Sequence, residues 1–377
     1  MDFPEYSVLA VQPAGAALKR PPARVRPLLS IPVTVSRIRG GRCLAGIIRR
    51  FGRLRYEDIC EAWDEGRAVV NRLCRRRLTG RRGACTVDGV AERAKRWPWH
   101  GWIGLVLMAV FWALNWGLEG MRTHWGFFPM WLGYALTVDG LVLRRTGSSL
   151  LTRSPRGYAG LFAASIPAWW LFELINLRTQ NWFYVGTPVG KLEYALLASL
   201  NFSTVIPAVF GTAELAGSFG WIRRLRRGPR IAPTRGILWG FFLGGWLMLA
   251  LLLRWPRYFF PLVWVSVYFI LEPVNVWRGN RSLAEFTREG DWRPVVALWT
   301  GSLVCGFFWE FWNYWSYPKW VYEVPFVDVL RVFEMPLLGY GGYLPFALEL
   351  HAVYHLMQGA FGRRRWTYVR LGRFGQR

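Results

Sequence analysis

The chain has no G-x-x-x-x-G-K-[S/T] phosphate loop, no G-x-S-x-G elbow and no H-E-x-x-H pair. ATP-driven transport, α/β-hydrolase chemistry and zinc-protease chemistry therefore lose their usual sequence support. Histidine is scarce, with 4 residues in 377, and cysteine nearly so, with 5. Four of the cysteines (Cys43, Cys60, Cys74, Cys85) are widely spaced and form no C-x-x-C pair. That spacing argues against a zinc module, and reduced thiols facing a cytoplasm are the simpler expectation. No cofactor is assigned. Residues 1–30 are Pro-rich and lack an apolar h-region followed by a cleavage site, so no signal peptide is expected there.

Charge is also thin. Charged residues make up 19% of the chain, and 23 acids face 48 Lys and Arg, for a net charge of +25. A basic soluble protein of this kind would suggest nucleic acid. Here the basic residues lie outside long apolar runs, so no nucleic-acid partner is expected and the lipid bilayer is.

Hydrophobic residues account for 53% of the chain, and Trp occurs 24 times. Eight apolar runs approach the ~20 residues that a bilayer requires: 101–120, 127–143, 158–177, 193–219, 236–254, 258–277, 294–316 and 334–361. Arg clusters alternate with them. Arg144, Arg145, Arg153 and Arg156 follow the second run; Arg223, Arg224, Arg226, Arg227, Arg230 and Arg235 the fourth; Arg278, Arg281, Arg288 and Arg293 the sixth. Arg363, Arg364, Arg365, Arg370, Arg373 and Arg377 follow the last. The intervening connections carry only one or two basic residues each. The positive-inside rule then puts both termini in the cytoplasm of a multi-pass protein of the bacterial inner membrane. The expected fold class is all-α: a polytopic helical membrane protein with about eight transmembrane helices.

Order within the runs repeats. Glu173-x-x-Asn176 is followed by Trp182-x-Tyr184, and Glu310-x-x-Asn313 by Trp320-x-Tyr322. Phe127-Phe128-Pro129 matches Phe259-Phe260-Pro261, Asp139 matches Glu272, and Ser149-Leu150 matches Ser282-Leu283. Glu193, Pro207 and Glu214 match Glu334, Pro345 and Glu349 in order. Two parallel four-helix repeats are expected, related by an axis along the membrane normal. Residues 97–222 would be repeat 1, 223–235 a basic cytoplasmic linker, 236–361 repeat 2 and 362–377 a basic cytoplasmic C-terminus. Residues 1–96 read as a basic cytoplasmic tail, disordered along most of its length. Within it, residues 54–78 could form an amphipathic helix, with Ile59, Trp63, Val70 and Leu73 on one side, that lies on anionic lipid. Translation beginning near Lys95 is a further reading.

Acids in spans are costly in lipid and face the protein interior. Glu173, Asn176, Glu310 and Asn313 are candidate catalytic residues: Glu and Asn one turn apart share a helix face and suit a carboxyl that titrates or binds a cation. An interhelical clamp is the structural alternative. Glu193 and Glu334, at the mouth, and the aromatic pairs Trp182, Tyr184, Trp320 and Tyr322 are candidate substrate-binding residues, the aromatics serving equally well as interfacial anchors. His351 and His355, at i and i+4, are a weak metal candidate. Gly240-x-x-x-Gly244 is a weak helix-packing signal. The Pro- and Gly-rich stretch from Glu334 to Phe346 makes a continuous helix doubtful there.

The run Trp309-Glu310-Phe311-Trp312-Asn313, with Lys319-Trp320-x-Tyr322, Phe333-Glu334-Met335-Pro336 and Pro345-Phe346-x-Leu348-Glu349, resembles a family of uncharacterised bacterial polytopic membrane proteins. The resemblance covers mainly the last two runs and implies membrane location without an activity. In architecture alone, the duplicated acids and abundant aromatics are similar to membrane-bound carotenoid (lycopene) cyclases. The expectation is a cavity between two halves, lined by the Glu and Asn residues and holding a lipid-like or isoprenoid molecule as an enzyme's substrate. A proton- or cation-coupled transporter and a non-catalytic membrane scaffold are the alternatives.

Overall fold

The computed structural model describes residues 97–118, 123–187, 190–225 and 227–371. The four N-terminal cysteines, the basic tail 1–96 and the helix expected over 54–78 lie outside the described residues.

The described chain is mostly helical. In order it forms α1 (Trp99–Gly117), α2 (Phe127–Thr146), α3 (Pro155–Thr179), β1 (Trp182–Val185), α4 (Lys191–Phe202), α5 (Val205–Gly217), α6 (Arg235–Arg254), α7 (Ser266–Trp277), α8 (Arg293–Tyr314), β2 (Lys319–Tyr322), β3 (Arg331–Val332), β4 (Met335–Pro336) and α9 (Tyr343–Ala360), with short helical turns between them. Local sequence sets the boundaries. Ser154 caps α3 by accepting from Gly157 N at 3.0 Å, and Pro155 takes the first helical position, where its missing N–H is harmless. Gly147 ends α2 with φ 74°, a left-handed conformation that glycine adopts without strain.

Five helical stretches are long and apolar enough to cross a membrane: 99–117, 155–179, 191–217 taken through its turn, 235–254 and 293–314. The pair Pro256–Trp264 and Ser266–Trp277, bent by 41°, makes a sixth if it is one span. Phe127–Thr146 and Tyr343–Ala360 fall outside this set. The first carries Asp139, Arg144 and Arg145, and the second carries Glu349, His351 and His355. Both bury much of their surface in the bundle, including Asp139, Glu349 and both histidines, so their polar groups meet protein. The run expected from residue 334 becomes a helix only at Tyr343. Ahead of it, Arg331–Val332 and Met335–Pro336 pair as a small hairpin, and Leu337–Gly342 is a 3₁₀ turn.

The connections sort to two ends. Gly228 N donates to Gly290 O at 2.8 Å, Ile231 N to Thr287 O at 3.0 Å, and Arg281 N to Arg364 O at 3.0 Å. Arg145 Nε reaches Ser218 Oγ at 2.8 Å, and Tyr368 OH reaches Leu150 O at 2.8 Å. The four Arg-rich stretches are thus bonded to one another. At the other end β1 pairs antiparallel with β2, and Thr123 Oγ1 donates to Tyr317 O at 2.7 Å.

Glycine decides where helices touch. A Cβ on Gly104 of α1 would lie 2.6 Å from Thr137 N, and one on Gly133 of α2 would lie 2.6 Å from Met108 N. Gly245 meets Ile270 N at 2.8 Å in the same way. A Cβ on either member of the expected Gly240 and Gly244 pair would meet nothing within 4 Å among the described residues. The pair shares the outward face of α6 with the exposed Trp239, Leu243 and Leu247, while Gly245, one residue on, faces α7.

The C-terminal segment, expected to be a simple basic tail, packs onto the bundle as far as it is described. Tyr368, Val369 and Leu371 are buried. Arg370 N donates to Glu214 Oε1 at 2.7 Å, and the same oxygen takes Arg153. Glu214 therefore pins the strap. The Glu214→Gln variant is expected to lose about 2 kcal/mol, because a charge-assisted bond becomes a neutral one. Trypsin should then cut at Arg363–Arg365 faster than in the wild type; an unchanged cleavage rate would show that the strap is held elsewhere.

Candidate functional site

Helices α3 and α8 end in the same manner. Each carries Glu and Asn in its last turns and is followed by a short strand. Asn176 Nδ2 donates to Trp182 O at 2.8 Å, and its Oδ1 accepts from Asn181 N at 2.9 Å. Asn313 Nδ2 donates to Trp320 O at 2.7 Å, and its Oδ1 accepts from Trp320 N at 2.9 Å. Each asparagine fastens the strand to the helix it follows, satisfying backbone groups that have no helical partner.

The glutamates bind the side chains of those strands. Glu173 Oε1 accepts from Trp169 Nε1 at 2.8 Å, Trp182 Nε1 at 3.0 Å and Tyr184 OH at 2.6 Å. Glu310 Oε1 accepts from Tyr322 OH at 2.7 Å and Tyr343 OH at 2.8 Å. Pairing of β1 with β2 sets Trp182 opposite Tyr322 and Tyr184 opposite Trp320. Alternate residues of a strand share a face, as do residues directly opposite across a ladder, so all four rings lie on one side of the two-stranded sheet.

Beneath that side is a cavity of about 530 Å³. Its walls are Trp169, Trp182, Tyr184, Trp264, Trp309, Trp312, Trp320, Tyr322, Tyr343, Phe202 and Phe346, with Leu197, Ala198 and Met335. Trp264 stacks on Trp182 at 5.7 Å between ring centres and on Phe172 at 5.6 Å; Trp309 stacks on Tyr343 at 5.9 Å. The polar wall is small: Asn115, Thr123, His124, Thr187, Asn181, Asn201, Ser316 and Lys319. Such a volume, with an apolar lining and a few polar groups, suits a small or chain-like organic ligand.

Glu173, Asn176, Glu310 and Asn313, expected to line this cavity, are not among its lining residues. They stand behind it, with one oxygen of each glutamate and both polar atoms of each asparagine bound to the aromatic side chains and strands that form the wall. Glu310 is fully buried, and its Oε2 has no hydrogen-bond partner among the described residues. The four expected substrate-binding aromatics, Trp182, Tyr184, Trp320 and Tyr322, do line the cavity.

Glu193 and Glu334, expected as an equivalent pair at the mouth, differ. Glu334 is ion-paired with Lys319, a cavity residue, and lies 3.8 Å from Arg331 Nη1. Arg331 also binds Asp328 through two bonds of 2.6 Å, which hold that carboxyl below its ordinary carboxylate range. Glu193 is exposed, with His124 at 3.9 Å. Neither glutamate lines the cavity.

At the Arg-rich end the acids cap backbone. Asp139 Oδ1 accepts from Leu151 N at 3.0 Å, and Glu272 Oε1 accepts from Ala284 N at 2.8 Å, each just past the Ser-Leu pair of its own stretch. Glu214 and Glu349 have unlike surroundings: Glu214 is ion-paired with Arg153, whereas Glu349 Oε1 accepts from Val267 N at 3.1 Å, with no basic side chain ion-paired to it among the described residues. His351 and His355 are buried, with ring centres 4.3 Å apart. Among the described residues, no group of three or more His, Cys, Asp or Glu converges as a metal site.

Sequence reasoning missed Trp169, Trp264, Trp309, Tyr343 and Phe346. Aromatic residues are common throughout these apolar runs, and only the placement of the helices separates a cavity wall from packing. Tyr343 carried one signal, its position at the end of the Gly-rich stretch that leads into α9. No family model, curated protein or solved structure matches the chain.

Proposed function

We propose that the protein is an integral membrane protein that binds the apolar part of a lipid-like or isoprenoid molecule in the aromatic cavity, with Glu173 and Glu310 holding the wall in place. The observation that carries this reading is the 530 Å³ space whose tryptophan and tyrosine walls are tied back, by their polar ends, to two carboxyl groups outside it. Fixing Tyr and Trp by their polar ends leaves their apolar bodies to face a ligand.

In this reading the chain is two parallel four-helix repeats. The matching Asn-to-strand bonds, the matching acid caps at Asp139 and Glu272, and the reciprocal pairing of Trp182-x-Tyr184 with Trp320-x-Tyr322 all support it. Exposed apolar side chains such as Trp102, Val106, Val110, Leu243, Trp246 and Leu247 on α1 and α6 fit a lipid-facing surface. The Arg-rich end would face the cytoplasm and the cavity end the opposite side of a bacterial inner membrane.

An enzymatic role would use the tyrosines. Tyr322 and Tyr343 both line the cavity and touch Glu310, so they are the groups able to pass a proton between a bound molecule and a carboxyl. Glu310 itself would act as a positioning residue.

Filling the cavity tests the reading. Ala198, buried on α4, lines it. Native mass spectrometry of detergent-purified wild type is expected to detect a co-purifying apolar molecule. The Ala198→Trp variant, with an unchanged thermal profile, is expected to retain at least about tenfold less, because the indole occupies ligand space. Equal retention by the two proteins would end the proposal.

A further inference from the structure

A second cleft, of about 490 Å³, lies at the Arg-rich end, far along the chain's spans from the aromatic cavity. Its lining is Ser154, Arg156 and Gly157 from the start of α3, and Gly362 to Trp366 from the C-terminal strap. Four arginines, Arg156, Arg363, Arg364 and Arg365, therefore line one space.

This arrangement is built into the fold. Tyr368 OH donates to Leu150 O at 2.8 Å, Arg370 N to Glu214, and Arg364 O accepts from Arg281 N at 3.0 Å. Trp366 stacks on Tyr368 at 4.7 Å, and a Cβ on Gly157 would meet the Tyr368 ring at 2.9 Å, so the strap lies directly against the first turn of α3. These bonds hold the strap's backbone, and with it the arginines, beside Arg156.

Among the described residues these charges are left largely uncompensated. Among the described residues, the one carboxylate ion-paired with a lining residue is Glu285, on Arg365. Arg363 lies over Trp366, 4.9 Å from the ring centre. Arg156 occupies the first turn of a 25-residue helix, where the partial positive charge of the unpaired N–H groups disfavours a cation. Like charges brought together in this way raise the free energy of the fold unless an anion lies among them. Guanidinium forks match phosphate oxygens in shape and charge.

We propose that this cleft binds a phosphate monoester or diester. Its place at the end of a membrane-length helix is where lipid phosphates lie, and a basic pocket between helices at that depth is suited to a lipid head group.

The test uses the full chain, with its basic tail intact, in lipid nanodiscs and in detergent. Wild type is expected to retain phosphatidylglycerol over phosphatidylcholine by native mass spectrometry. The Arg156→Gln/Arg364→Gln variant is expected to bind phosphatidylglycerol at least about fivefold more weakly. Arg288→Gln, an exposed change at the same end but outside the cleft, should bind as wild type does. If the double variant does not fold, Arg156→Gln alone, at an exposed position, carries the comparison. Thermal protection in detergent by glycerol 3-phosphate, lost in the same variants, would keep phosphate recognition and reassign its source to a soluble compound. Equal binding of phosphatidylglycerol by wild type and the cleft variants, with no protection by glycerol 3-phosphate, would overturn the proposal.

Discussion

Glu310→Ala should destabilise the protein by about 3–5 kcal/mol, while Glu310→Gln should stay within about 1 kcal/mol of wild type. The carboxyl oxygen accepts two tyrosine hydroxyls in a fully buried site. Alanine removes the acceptor and leaves both hydroxyls unpaired away from water, whereas the glutamine carbonyl still accepts. A double-mutant cycle separates this from a general packing loss. Tyr343→Phe should cost about 1 kcal/mol in wild type and recover about 1–2 kcal/mol in the Glu310→Ala background, because there it removes a hydroxyl that is already unpaired. Ligand retention should follow stability in this series. If Glu310→Gln keeps its thermal midpoint and still abolishes ligand turnover or uptake, the carboxyl acts chemically, and its role as a support for the wall is wrong.

The second large effect is steric. Gly301 lies where α8 crosses α5. A Cβ there would sit 2.7 Å from Ala213 N, 2.9 Å from Ala213 Cα and 2.9 Å from Val209 O. All three are backbone atoms, so no side chain can swing aside and the helices themselves must separate. Gly301→Val is expected to give no folded protein, seen as loss of the monodisperse peak in size-exclusion chromatography, since overpacking of even a yielding core costs about 1–3 kcal/mol. Gly240→Val and Gly244→Val, on the outward face of α6, should behave as wild type. A monodisperse Gly301→Val would mean that α5 and α8 are not in the close contact described.

The crossing of α5 and α8 also carries a polar contact in the core. Tyr134 OH contacts Thr212 Oγ1 at 2.8 Å, and Cys305 Sγ lies 3.5 Å from the same Thr212 oxygen, so α2, α5 and α8 share a polar contact in the core. Glu214 is bound to the strap while Glu349 caps Val267. Asp139 and Glu272 each cap backbone just past a Ser-Leu pair, whereas Glu214 and Glu349 have different partners. Asp139 and Glu272 bind backbone twelve residues on, at Leu151 and Ala284, whereas Glu214 binds the C-terminal strap.

The sequence by itself determined the helical class, since apolar runs of membrane length cannot leave backbone groups unpaired in lipid. The alternation of Arg-rich connections with apolar runs also foretold that these connections gather at one end. The Glu-Asn spacing showed that the two residues share a helix face, but not that each asparagine binds the strand that follows its helix. Only the tertiary structure decided that these carboxyls stand behind the cavity and not in it. A carboxyl in an apolar segment signals a buried partner, yet the identity of that partner depends on residues from other elements: Tyr343 reaches Glu310 from the start of α9, 33 positions away. The same holds for Gly245 and Gly301, whose importance comes from a neighbouring backbone at contact distance, a property that no spacing within one helix encodes.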